Sequence, residues 1–175
     1  DAQTYLSQVR TDALEIETLV DDMLTYARFE RENQQPDTLA RHELISWLQT
    51  LIQSETQPSA GEAVTVDYQP EADILIAPFE PTYLGWAVKN VIRNAVKYAA
   101  GKASVRIDSD DSRCLIHIDD DGPGIPESDR AHIFKPFFRV DKSRDKHSGG
   151  YGLGLAIAKS IMIWHRGDIV AERSA

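Results

Sequence analysis

The stretch GGYGLGL, Gly149–Leu155, packs four glycines into seven residues and runs straight into an apolar helical pattern, LAIAKSIMIW. Glycine at that density strips side chains from a backbone that something else must approach closely. The start of the following helix offers unpaired amides and a positive dipole end, a setting that favours an anion. A flexible hinge or a tight helix entry would also account for Gly150, Gly152 and Gly154 taken alone. Two familiar phosphate loops fail. A dinucleotide loop needs a buried strand immediately before its glycines, and VDKSRDKHS is charged. AAGKAS lacks the spacing of a P-loop.

A second motif, IDDDGPGI, sets carboxylates at a strand end ahead of Gly122 and Gly124. A carboxylate fixed there can accept a hydrogen bond from an exocyclic amine, which separates adenine from guanine. An acidic turn between strands is the plainer reading of DDG. The third motif, KNVIRNAVKY, puts Asn90 and Asn94 four apart on one helical face, with Lys97 within about 60° of both. Two neutral amide oxygens suit Mg²⁺ that keeps its charge for phosphates, and Lys97 supplies a point charge. A solvated helix face is the alternative for the pair in isolation.

The chain has 175 residues, 42% hydrophobic and 27% charged, with a formal net charge of -9. That length suits one domain with an appended element, and the acidic balance excludes broad nucleic-acid binding. One cysteine, Cys114, excludes an internal disulfide, and its place in CLIHI predicts a buried strand thiol. No apolar run approaches the ~20 residues of a membrane span. The chain opens without Met and in mid-pattern, so it is expected to be a piece of a longer polypeptide.

Before Pro36 there is no Gly or Pro, and Leu6, Val9, Ala13, Ile16, Val20, Met23 and Ala27 recur in steps of three and four. That is an a/d seam, with Leu19 and Leu24 widening the stripe. A bundle partner is preferred to a helix folded back on its own domain. HELISWLQTLIQSE gives a second helix with Leu44, Trp47, Leu48 and Leu51 on one face. VTVDYQ alternates as a half-buried strand, and ILIA is a shorter apolar piece. Pro81 to Ala100 reads as a helix striped by Leu84, Val88, Val91, Ala95 and Ala99. SVRID and CLIHID form a hairpin, and DIVAE reads as a last strand. Hairpin-like pairs among interleaved helices predict a mixed sheet rather than a doubly wound parallel one.

The three motifs, in this order, resemble the GHKL ATP-binding fold, and within it the ATPase domain of sensor histidine kinases. NVIRNAVKYA is similar to the family's N-box, DDDGPGI to its G1 box, IFKPFFRVD to its F-box and GGYGLGLAIAKSI to its G2 box. The resemblance covers roughly Trp47 to Glu172. LVDDMLTYARFE resembles the second helix of the dimerisation and phosphotransfer hairpin. LTYAR, PFFRVDKSRDKHSGGYGLGLAI and the HRG near the end look closest to RstB- and CpxA-like kinases.

The resemblance implies an α/β (α+β) two-layer sandwich of the Bergerat type, a mixed β-sheet with helices on one face, preceded by a long bundle-forming helix. It divides the chain into a hairpin helix (1–35), a linker (36–41) and a catalytic ATP-binding domain (42–175) lacking its last strand. Asp120 matches the carboxylate that reads the adenine amine, in a G1 box that also supplies Gly122, Gly124 and Ile125. Asn94 matches the principal Mg²⁺ ligand, with Asn90 assisting. Lys97 matches a phosphate-contacting lysine, and Tyr98 lies against the nucleotide. Arg139 matches a phosphate-reaching F-box arginine, with Arg144 a looser candidate in the same stretch. Phe134, Phe137 and Phe138 would pack the base of a lid running to about Ser148. Gly150, Tyr151, Gly152, Leu153, Gly154 and Leu155 would line the triphosphate. The catalytic set is Asn94, Lys97 and Arg139; the cofactors are ATP and Mg²⁺.

Hydrolytic relatives carry a Glu where this chain has Asn90, and an amide cannot take a proton from water at neutral pH. The resemblance implies that the nucleophile is instead a histidine on a bundle helix. His42-Glu43-Leu44-Ile45-Ser46 resembles the family's H-box only superficially, lacking its Arg and Pro. His117, His132, His147 and His165 also lack that setting. The acceptor is expected upstream of Asp1, so these 175 residues should not phosphorylate themselves. The resemblance further implies a homodimer through the bundle helix, a response-regulator receiver domain as partner, no nucleic acid, and membrane attachment only through other segments. It places this part in the cytosol of a bacterium, below an inner-membrane anchor. A GHKL serine kinase of the anti-sigma kind and a degenerate interaction module are the rivals, opposed by the seam helix and by the intact Asp120, Asn94 and glycines respectively.

Overall fold

The computed structural model describes residues 2–31, 37–55, 64–70, 72–110, 112–140 and 150–173. Pro36 of the expected linker, the PSAGEA break, and the lid segment carrying Arg144 and His147 lie outside the described residues. The chain opens with α1 (Ala2–Arg31), a 30-residue helix free of Gly and Pro, with Arg28 and Arg31 in its last turn, where cations favour the dipole.

A short strand β1 (Arg41–Glu43) leads into α2 (Leu44–Glu55), followed by β2 (Thr65–Pro70) and β3 (Ile76–Pro78). Next come α3 (Pro81–Tyr98), β4 (Lys102–Ser109), β5 (Cys114–Asp120), a one-turn α4 (Glu127–Arg130) and α5 (Gly154–Trp164). β1 and β3 form an antiparallel pair, while the main sheet runs β2-β4-β5. Its β2–β4 pairing is parallel and its β4–β5 pairing is an antiparallel hairpin, so the mixed sheet expected from the sequence is present.

HELIS turns out to be a helix start. The Glu43 carboxylate accepts from Ile45 N at 2.9 Å, from Ser46 N at 2.7 Å and from Leu75 N at 3.2 Å. It satisfies orphan amides of α2 and ties β1 to the segment before β3. These bonds, led by the Ser46 hydroxyl and amide, hold the Glu43 carboxyl down to about 2. His42 packs its ring against Phe79 at 5.2 Å, a structural role.

α3 is the central element. Glu80 caps it by accepting from Tyr83 N at 2.6 Å, with Pro81 in the first turn. Leu84, Val88 and Ile92 pack with Leu44, Ile45, Leu48 and Ile52 of α2 and with Val105 and Ile107 of β4. Its other flank, at Ala87 and Val91, meets Leu153 and the α5 residues Ile157, Ala158 and Ile161. The apolar surface of α3 is thus two-sided, wider than the single stripe read from the sequence. Each fully buried Leu or Ile is worth about 1.5–3 kcal/mol relative to exposure.

The last part of α1 joins this second cluster. Phe29 is 6% exposed, set edge-on to Tyr83 at 5.0 Å and to Trp164 at 6.3 Å. Leu19 and Tyr26 pack beside it. Positions 19, 22, 26 and 29 define this docking face, about 130° round the helix from the seam at 6, 9, 13, 16, 20, 23 and 27. The seam itself stays out: Leu6, Val9, Ile16, Val20 and Met23 are all exposed. One helix therefore serves its own domain at one end and presents a separate apolar stripe along its length.

Two expectations are corrected. Asp168–Glu172 forms no strand: the Asp168 carboxylate accepts from Ile169 N and from Lys159 Nζ, and Lys159 Nζ also reaches Ile169 O. Those bonds hold the segment along α5 and take the main-chain groups a ladder would use. Cys114 is exposed, not buried; it pairs with Ser109 at the turn end of the β4–β5 hairpin. Among the described residues no helix is long and apolar enough to cross a membrane.

Candidate functional site

The motifs converge along one edge of α3. Asn90 lies one turn before Asn94 on that helix, and both are half-buried. Asn90 Nδ2 donates to Trp86 O at 2.9 Å, which turns its amide oxygen outward from the helix. That oxygen meets the start of α5: a Cβ on Gly154 would lie 2.6 Å from Asn90 Oδ1. Gly150, at φ +130, sits with its Cβ position 3.8 Å from Lys97 Nζ. The glycine run thus crosses the face of α3 that carries the amide pair and the lysine.

Gly152, at φ +75, is wedged against the F-box segment. Its Cβ position lies 2.8 Å from Phe138 O, and Phe137 N donates to Gly152 O at 2.9 Å. Only glycine accepts that backbone angle and that approach without strain. The N-terminal position of α5 is Leu153, which offers no side-chain cap, so the first-turn amides of α5 are left to water or an anion.

The third motif closes the C-terminal end of α3. Gly122 N donates to Asp120 Oδ1 at 2.9 Å, and a Cβ on Gly122 would stand 2.3 Å from Tyr98 O. Asp121 Oδ1 accepts from the amides of Ala100, Gly101 and Lys102. These bonds, the Lys102 amide foremost, hold the Asp121 carboxyl below the ordinary aspartate value. Gly124, at φ +73, faces open space.

The remaining expected residues sit around this frame. Lys97 Nζ lies 5.1 Å from the Tyr98 ring centroid, and Tyr98 is exposed. Phe134 is half-buried with Lys159 Nζ 5.7 Å from its ring. Ile125 is half-buried and its carbonyl accepts from Arg130 Nε. Arg139 and Tyr151 are exposed and Leu155 is half-buried. Leu153 is 1% exposed, its side chain packed with Phe29, Ala87 and Ile157, so only its main chain faces a ligand. Arg144 lies outside the described residues. A separate hollow lined by Ile45, Ala72, Leu75, Ile107 and Ser109 shares no residue with this cluster.

What stands along the C-terminal half of α3 is a carboxylate beside its last residue, a lysine next to that residue, an amide pair one and two turns back, and bare main chain that passes from Lys97 to Asn90 as it opens α5. Such a set can bind a planar amine-bearing ring and a polyanion. Sequence reasoning passed over Asp121, whose signal was a third acidic residue immediately before a glycine at a strand end. It also missed the Phe29, Tyr83 and Trp164 contact, which only the fold assembles.

This fold and this set of motifs define an ATPase class. A family profile described as histidine kinase-, DNA gyrase B- and HSP90-like ATPase matches residues 80–175, more than half of the chain, and the chain belongs to that family. Among curated relatives, the sensor histidine kinase CpxA of Escherichia coli K12 is 34% identical over 171 residues, covering 97% of this chain and 36% of CpxA. The sensor protein RstB of the same organism is 32% identical over 167 residues, covering 93% of this chain and 37% of RstB. The chain therefore spans little more than a third of the length of these relatives. Among solved structures, full-length ShkA in complex with AMPPNP superposes with a TM-score of 0.77 at 21% identity, covering 97% of this chain and 36% of that one; it shares the fold.

Proposed function

We propose that this chain is the catalytic ATP-binding portion of a bacterial sensor histidine kinase. The observation that carries the reading is the placement of Asn90 and Lys97 against Gly154 and Gly150, with Gly122, which holds Asp120, against Tyr98 at the end of the same helix. In this reading the Asp120 carboxylate accepts from the adenine amine and Tyr98 lies against the base, beside Gly122, Gly124 and Ile125. Lys97 and Arg139 neutralise phosphate oxygens, with Arg144 a further candidate. The main chain from Gly150 through Tyr151, Gly152, Leu153, Gly154 and Leu155 follows the triphosphate into the N-terminus of α5, and Phe134 packs beneath.

Asn94, with Asn90, would hold Mg²⁺. The residues fit: Asn90 Nδ2 donates to Trp86 O, which turns its amide oxygen away from the helix, and two neutral amides leave a hard cation mostly coordinated by phosphates and water. Bound there, Mg²⁺ would neutralise phosphate charge and orient the terminal group. The protein's part is to align that group and to offer no general base for water, since Asn90 cannot accept a proton.

The phosphoryl group passes to a histidine and then to an aspartate on a response-regulator receiver domain. None of His42, His117, His132 and His165 is set to receive it: His42 packs on Phe79, His117 faces Asp108, His132 packs on Phe138 and His165 Nε2 accepts from Glu80 N. The acceptor is assigned to a helix outside residues 1–175. The exposed seam of α1 is the surface through which two copies pair in the intact protein. The work is cytoplasmic, under an inner-membrane anchor supplied elsewhere, and needs no nucleic acid.

The test mixes the purified chain with MgATP and a separate helical hairpin carrying a family-type acceptor histidine. Acid-labile, base-stable phosphate on that hairpin is expected. Label appearing on serine, or MgATP consumed by water as fast as in a hydrolytic relative, overturns the kinase assignment.

A further inference from the structure

The nucleotide reading uses only Asp120 of the three carboxylates in IDDDGPGI; Asp119 pairs with Arg106, and Asp121 faces main chain. A single oxygen, Oδ1, accepts from Ala100 N at 2.7 Å, Gly101 N at 3.0 Å and Lys102 N at 3.0 Å. Its own N–H donates to Lys102 O at 3.1 Å. The whole turn leaving α3 is thus gathered onto one side chain. That turn begins two residues after Lys97 and one after Tyr98, and the next residue back from Asp121 is Asp120.

The clamp has a matching stop. Gly122 abuts Tyr98 so closely that a Cβ would lie 2.3 Å from the carbonyl oxygen, and its N–H holds Asp120 Oδ1 at 2.9 Å. Asp121 therefore draws the end of α3 and the end of β5 together, Gly122 limits the approach, and Asp120 is fixed between them. Asp121 is exposed, so the three amides could be solvated by water in its absence. Loss of the carboxylate should then register in the geometry of the site more than in global stability.

We propose that Asp121 is a positioning residue. It sets the Asp120 carboxylate relative to the C-terminal end of α3 and thereby controls how sharply the site prefers adenine over guanine. The proposal rests on the nucleotide reading above. Asp120 discriminates only if its oxygen meets an amine; at guanine it meets a carbonyl oxygen, which offers it no hydrogen. A displaced Asp120 loses the amine contact while the phosphate contacts of Lys97 and the glycine run persist.

Calorimetric titration of the full chain with MgATP and MgGTP tests it, in four backgrounds: wild type, Asp121→Ala, Asp120→Ala and the double variant. Asp121→Ala is expected to weaken ATP about tenfold and GTP less than about twofold, because only the base contact is disturbed. In the Asp120→Ala background, Asp121→Ala should change ATP affinity by less than about twofold, since its route of action is already gone. Should Asp121→Ala fail to fold by circular dichroism, Asp121→Asn carries the same test: its amide oxygen still accepts, and a smaller, ATP-only loss of about threefold is expected, absent in the Asp120→Ala background. Equal weakening of ATP and GTP, or an undiminished effect without Asp120, overturns the proposal while leaving nucleotide binding intact. A wild-type chain that binds neither nucleotide overturns the nucleotide reading and this inference with it.

Discussion

Asn90 and Gly154 approach so closely that a methyl group on Gly154 would lie 2.6 Å from the Asn90 amide oxygen. Gly154→Ala therefore separates site geometry from stability. Alanine is a better helix former than glycine by about 1 kcal/mol, so thermal melting should hold or rise slightly. The displaced amide should weaken MgATP by about tenfold or more. A melt that drops sharply with unchanged affinity would contradict that placement of Asn90.

At the C-terminal end of α3 the obstacle is main chain. A Cβ on Gly122 would face Tyr98 O at 2.3 Å and Tyr98 C at 3.0 Å, and no side-chain rotation relieves it. Gly122→Ala is expected to destabilise the chain by about 1–3 kcal/mol, read as a lowered urea midpoint. Wild-type stability would show that the α3 and β5 ends are not held together.

The two faces of α1 predict opposite phenotypes. Phe29→Ala empties a packed aromatic site and should cost about 3–5 kcal/mol where α1 meets the domain, exposing α1 to limited proteolysis. Val20→Asp changes a 47% exposed seam position and should alter monomer stability by no more than about 0.5 kcal/mol. It should also abolish any self-association seen by sedimentation. Self-association that survives Val20→Asp would take the seam out of the pairing surface.

The Glu43 carboxyl, ordinarily at 4.5, is held at about 2 by Ser46 and the amides of Ile45 and Leu75. A lowered folded-state value means stability fully present above about 4.5 and lost as the pH falls toward about 2. Urea midpoints of wild type and Glu43→Gln should differ most above pH 4.5 and converge near pH 2. A gap that stays constant across that window would mean the charge of Glu43 does not support the α2 start.

The helices, the β4–β5 hairpin and the mixed sheet were legible because periodicity and turn residues report local structure directly. So were the motif residues, since Asn90, Lys97 and the glycines owe their proximity to α3 and α5, two helices the sequence announces. Asp168–Glu172 misled because its apolar alternation fits a strand, while Lys159 and Asp168 claim its main chain through contacts nine and ten residues apart. Cys114 misled because an apolar run says nothing about which end of a hairpin opens to water. The docking face of α1 hid behind its stronger seam: Leu19, Tyr26 and Phe29 are too few to rival seven seam positions, and their partners Tyr83 and Trp164 are far along the chain. Asp121 was hidden by its neighbours, since three consecutive aspartates look alike until the amides they face are known.

Titration calorimetry of the 175-residue chain with MgATP, run beside Asn94→Ala and Asp120→Asn, bears most directly on nucleotide binding along α3. Saturable heat from the wild type, with affinity reduced at least about tenfold in both variants, is the predicted result. No heat from folded wild-type protein, or binding indifferent to both substitutions, would contradict it.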